Sequence, residues 1–143
     1  MKAIRVEKQG GPEVLKLVNI APMEAPGPGQ AVVRVIVAGV NFLDVGQRRG
    51  TYPREMPFTP GVEGAGVVES VGEGVSRVKP SDRVAFTGVP RAYSEAVVAD
   101  AERLIRLPDE FTFEQGAAFP LQGMTAQSTE LSAHARGVDA ASE

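Results

Sequence analysis

The chain contains no cysteine and one histidine, His134. Without cysteine there are no disulfides, iron–sulfur clusters, thiolate nucleophiles or cysteine-based zinc sites. A lone histidine in a polar segment cannot assemble the three protein donors of a catalytic zinc. The Asp and Glu residues lack the clustered spacing of a calcium loop, so no bound metal is expected. A basic excess is also missing. Fifteen Lys and Arg stand against eighteen Asp and Glu, a net charge of -3, which leaves no electrostatic footprint for nucleic acid or an anionic membrane. The only tight basic pair, Arg48-Arg49, reads as a solvated helix face. No apolar run reaches the roughly 18 residues a membrane span needs. The start, MKAIRVEKQGG, carries charge but no apolar stretch of secretory length. A cytoplasmic location is the expectation.

The residues present describe a soluble domain. Apolar residues make up 43% and charged residues 23% of the 143, enough chain to bury one core. Sixteen glycines and eleven prolines cut it into short segments. Strands are expected at 1–8 and 14–20, the second with Leu15 and Leu17 on one face. Pro22, Pro26 and Pro28 make 21–29 a loop. Residues 30–39 give the clearest strand, with Val33, Val35 and Val37 on one face. A short helix is expected at 41–49, with Asn41 as N-cap and Asp44 near its positive end. Pro53, Pro57 and Pro60 make 52–60 irregular. Strands follow at 64–71 and 82–86, joined through Gly72-Glu73-Gly74, then at 92–99, and a helix begins within 111–119. Many short strands and few helices predict a mainly β (α+β) fold, a partly open barrel. Neither glycine cluster makes a phosphate loop. Gly64-Ala65-Gly66 leads into a strand rather than a helix, and Val71-Gly72-Glu73-Gly74-Val75 is a hairpin turn.

Three features stand together between residues 38 and 85: the turn Asn41-Phe42-Leu43-Asp44 after an apolar strand, the bend Pro60-Gly61-Val62-Glu63-Gly64, and the Val71–Val75 turn closing on Asp82-Arg83-Val84. Together they resemble the substrate-side, GroES-like domain of the medium-chain dehydrogenase/reductase superfamily. The resemblance is to its zinc-free quinone oxidoreductase branch, and it covers residues 1–126. Zinc-dependent members carry a Cys before the position of Asn41 and a His where this chain has Val62. Their four-Cys lobe is replaced here by Gly88-Val89-Pro90-Arg91.

The resemblance implies hydride transfer from NADPH to a quinone or enone acceptor. Asn41 would border both the nicotinamide and the acceptor carbonyl, and an amide donor there stabilises the charge that develops on the oxygen. The other reading of Asn41 is a plain helix cap. Tyr52 would line the same cleft, or else simply pack under the proline loop. Thr125 would touch the nicotinamide side, or only begin a helix. Asp44 and Glu63 are read as structural, Glu63 as a hydrogen-bonding group at the bend. Two departures from the family stand out: Gly46 where several relatives carry a second Tyr, and Ser81 where Gly is usual, a small cost to the turn if that position needs a positive φ.

Residues 127–143 depart from the family and read as a polar tail. The nucleotide-binding Rossmann domain is expected to be absent from this chain, leaving it inactive alone and prone to self-association through an uncovered interdomain face at Phe119, Leu121 and Met124. The alternatives are a non-catalytic binding module or degenerate enzyme, and an assembly role resting on fold analogy alone.

Overall fold

A computed structural model describes the backbone of residues 1–135 and the side chains of residues 1–128. The side chain of His134 and the last eight residues of the expected tail lie outside the described residues.

The described residues form seven strands, of which the longer ones are rich in Val and Ala. They are β1 (Lys2–Arg5), β2 (Lys16–Asn19), β3 (Gln30–Ala38), β4 (Glu63–Val71), β5 (Arg83–Thr87), β6 (Ala96–Asp100) and β7 (Leu104–Arg106). The helices are α1 (Phe42–Arg49), α2 (Phe113–Ala118) and α3 (Pro120–Ala135). Five strands make an antiparallel sheet in the order β6-β3-β4-β5-β7, while β1 and β2 form a separate hairpin. The sheet curls without closing, and β6 and β7 stay at its two edges. The hairpin is tied across one end of it by the Ala3–Ser94 and Val6–Phe58 bridges. The fold is therefore mainly β, a partly open barrel.

The curl has a local cause. Register shifts between Val32 and Val33 and between Val35 and Val37 break the β3–β4 ladder, and such bulges bend a strand and sharpen its twist. They also let Val32 and Val33, adjacent in sequence, both be buried. Inside the curl Val33, Val68, Val84, Phe86, Val97 and Leu104 form the main core. On the outer face Ala65, Ala85 and Ala117 pack closely and seat α2 on β4 and β5.

Helix α2 begins later than residue 111 because Thr112 caps it. The Thr112 Oγ1 accepts from the Gln115 N–H at 3.2 Å and the Gln115 side chain accepts from the Thr112 N–H at 2.9 Å, a reciprocal capping box. Helix α3 runs from Pro120 through the expected boundary at 126 without interruption. Three further expectations are corrected. Leu17 is 66% exposed, so the shared face of Leu15 and Leu17 points to solvent. The strand expected at 92–99 starts only at Ala96. Arg48 is buried, not solvated: its guanidinium donates to the Gly10 carbonyl at 2.5 Å, and the Gly10 N–H donates back to the Arg48 carbonyl.

Candidate active site

Three segments distant in sequence meet where β3 runs into α1, where β4 begins, and where α3 begins. Asn41 is the extended residue that caps α1. The reciprocal bond of the cap comes from Asp44, whose Oδ2 accepts from the Asn41 N–H at 2.9 Å. This holds a carboxylate at the positive end of the helix. The Asn41 side chain is committed across the fold instead. Its Nδ2 donates to Glu63 Oε2 at 2.9 Å, and its Oδ1 accepts from Gln122 Nε2 at 3.1 Å. Both Asn41 and Glu63 are buried, at 7% and 1% exposure.

Glu63 fixes the orientation of that amide. Both Glu63 oxygens accept, so the amide turns its NH2 toward Glu63 and its oxygen toward Gln122. The other carboxylate oxygen, Oε1, accepts from the Leu121 N–H at 2.6 Å. That N–H is one of the free donors of the first turn of α3, a favourable place for an anion. Room for the carboxylate comes from Gly39: a side-chain carbon there would lie 2.8 Å from Glu63 Oε2 and 2.6 Å from the Ala117 carbonyl. An amide NH2 has two donors, and Asn41 commits one of them to Glu63.

Asp44 also accepts from the Tyr93 hydroxyl at 3.1 Å. Burial first, then the Asp44 charge and its hydrogen bond, push the Tyr93 phenol well above the usual tyrosine range, so it serves as a fixed donor. Asp44 Oδ1 is shielded from solvent and has no hydrogen-bond partner among the described residues.

Tyr52 follows α1 and folds back against it. Its ring packs on Gly46, where a side-chain carbon would come within 2.3 Å of the ring, and its N–H donates to the Gly46 carbonyl. A second tyrosine at position 46 and Tyr52 in this position are mutually exclusive. Tyr52 is 52% exposed, and no hydrogen bond joins it to Asn41. Thr125 lies on α3 one turn beyond Leu121, exposed, with its hydroxyl donating to the Leu121 carbonyl at 2.7 Å. The residue of α3 that reaches Asn41 by the bond described above is Gln122. Sequence reading did not single out Gln122, which is 81 positions from Asn41, or Tyr93, which is 49 from Asp44. No local pattern carries such pairings.

Val62 is buried at the bend. Among the described residues no three His, Asp or Glu side chains come together in a way that could hold a metal ion. No helix among them is long and apolar enough to cross a membrane.

The alcohol dehydrogenase GroES-like domain family matches residues 27–109. The quinone oxidoreductase of Pseudomonas aeruginosa is 48% identical over 128 residues, which cover 88% of this chain and 39% of that protein. A quinone oxidoreductase structure from Pseudomonas syringae pv. tomato DC3000 superposes with a TM-score of 0.83 at 48% identity, over 90% of this chain and 40% of the other. The Escherichia coli quinone oxidoreductase complexed with NADPH gives a TM-score of 0.85 at 37% identity, with the same coverage of each chain. The chain thus spans about 40% of the length of the relatives it matches.

Proposed function

Since the chain belongs to the alcohol dehydrogenase GroES-like domain family and its relatives are quinone oxidoreductases, we propose that it is the acceptor side of a zinc-free, NADPH-dependent quinone or enone oxidoreductase of the cytoplasm. The supporting observation is the Asn41 amide, held between Glu63 and Gln122 with one N–H still to offer. Reduction of a quinone or enone builds negative charge on the acceptor oxygen. A donor already oriented toward that oxygen stabilises the charge without reorganising, and removing one such donor costs about 100- to 1000-fold in rate. Glu63 is then an orienting group, not a proton carrier. Tyr52, half-exposed on Gly46, offers a flat phenol against which a planar acceptor can lie.

The cofactor fits in part. Asn41 and Thr125 suit the nicotinamide end, where bound NADPH would supply the hydride. For the pyrophosphate the described residues hold no Gly-rich turn opening a helix: Gly64 and Gly66 lie inside β4, and Gly72 and Gly74 lie in the turn after it. This chain is therefore expected to bind NADPH only in the millimolar range or weaker, roughly -4 kcal/mol, and to reduce 1,4-benzoquinone at the background rate. Calorimetry that finds micromolar NADPH binding overturns that expectation. The acceptor-side role is tested by joining residues 1–126 to the remainder of the Pseudomonas aeruginosa relative. The chimera should reduce benzoquinone with NADPH, and Asn41→Ala should lower kcat about 100-fold.

A second reading is a non-catalytic binding module. A chimera that folds and binds NADPH but stays at background would select it.

A further inference from the structure

A second site lies away from Asn41. A cavity of about 590 Å³ is lined by Arg5, Arg54 and Arg91, with Glu55, Thr59 and an apolar wall that includes Phe58 and Ile20. None of Asn41, Tyr52, Gln122 or Thr125 lines it.

The state of its arginines sets it apart. Most arginines of the described residues have partners. Arg34, Arg77, Arg103 and Arg106 pair with carboxylates, Arg48 holds the Gly10 carbonyl, and Arg83 holds three carbonyls beyond β7. Four guanidinium groups have no hydrogen-bond or ion-pair partner among the described residues: Arg5, Arg49, Arg54 and Arg91. Three of these four line this one cavity. Arg5 is half-buried, and its Nε is shielded from solvent without a partner, an arrangement that disfavours folding unless something completes it. Arg91 holds a φ of 71, a left-handed conformation that only glycine adopts without strain. Its carbonyl is pinned there by the Ser94 hydroxyl at 2.7 Å. A strained, unpaired arginine beside two others marks a binding function more readily than a structural one.

We propose that this cavity binds a phosphate monoester with an apolar body. Guanidinium forks match phosphate oxygens in geometry and charge. Three guanidinium groups less the Glu55 carboxylate leave two positive charges, the complement of a phosphate dianion. The Phe58 and Ile20 wall covers an apolar substituent. The inference is independent of the reductase reading.

Calorimetry with 1-naphthyl phosphate on the full chain tests it, with inorganic phosphate and 1-naphthol as the separate halves of the ligand. Saturable one-to-one binding is expected, at least about tenfold tighter than either half, and weaker at high salt because the cavity is open. Arg54→Gln and Arg91→Gly should each weaken binding about tenfold. Arg91→Gly should also raise the melting temperature by relieving the left-handed arginine, which separates lost binding from lost folding. Arg49→Gln, an unpaired arginine outside the cavity, should change nothing. The proposal is overturned by absent binding, by 1-naphthol or inorganic phosphate binding as tightly as the ester, or by wild-type affinity in both Arg54→Gln and Arg91→Gly.

Discussion

The turn Lys79-Pro80-Ser81-Asp82 closes with the Asp82 N–H donating to the Lys79 carbonyl at 3.1 Å, and Ser81 takes a φ of 74. Proline second and a positive φ third make this a type II turn, whose third position calls for glycine. Ser81→Gly should therefore raise stability by about 1 kcal/mol in urea denaturation, the relief of a left-handed residue outweighing the added freedom of the unfolded chain. A neutral or destabilising result would mean the serine hydroxyl contributes something its backbone bonds do not reveal. Tyr93 supports a prediction of pH dependence. Its phenol titrates higher folded than unfolded, chiefly through burial and then through Asp44. Its contribution is thus fully present below the unfolded value of about 10 and fades as pH rises through the higher folded value. Wild type should lose stability above pH 10 more steeply than Tyr93→Phe, while the difference between the two stays constant from pH 6 to 9. The cost at Ser81 was legible because Pro80 and Asp82 frame the turn in sequence. The Tyr93–Asp44 pair was not, because nothing local joins positions 93 and 44.

A buried carboxylate ties helix α3 to the sheet. Glu63 receives the Leu121 N–H and the Asn41 amide, so it couples the start of β4 to the first turns of two helices. Glu63→Leu fills the space but leaves both donors unpaired. About 3 kcal/mol of destabilisation is expected by chemical denaturation, since bonds to a charged group contribute about 1.5–3 kcal/mol each and relaxation recovers part. Hydrogen exchange should show α3 opening ahead of the sheet; a loss spread evenly over the fold would argue against a local anchor. Element by element, β3 and α1 were legible because a Val-rich run ends in Gly39 and an Asn stands three residues before an Asp. Strand β7 was missed: Leu104, Ile105 and Arg106 are too few to show alternation, and they form a strand only because β5 offers an edge. The strand expected at 92–99 is shorter because Arg91 turns left-handed and the Ser94 hydroxyl, 2.7 Å from the carbonyls of Arg91 and Ala96, shares its one proton between them. Arg48 and Leu17 exchanged their expected environments, since charge and alternation specify a face but not what packs on it.

For the whole molecule, the question is what covers its apolar surface. Phe42 is 93% exposed, Val40 75%, Phe119 72% and Met124 54%. Phe119 and Met124 open into an apolar cavity of about 320 Å³ shared with Ile105, Leu107 and Phe111. Leu121, expected among the exposed residues, is half-buried with its N–H on Glu63. The face that begins α3 is therefore carried by Phe119 and Met124. Fully burying one such side chain stabilises by about 1.5–3 kcal/mol, so four across a symmetric pair give at most about 6–12 kcal/mol. Association costs about 4–15 kcal/mol. The balance is small, and the expected state of the isolated chain is a weak, concentration-dependent dimer. Light scattering between micromolar and near-millimolar protein should show the apparent mass rising with concentration. Phe119→Glu, which places a carboxylate in that face without touching the Glu63 anchor, should hold the chain monomeric at every concentration. A wild type that stays monomeric throughout, or a Phe119→Glu variant that associates equally, would mean this face is satisfied within the chain. The reading of residues 1–126 as an acceptor side would then rest on the Asn41 amide alone.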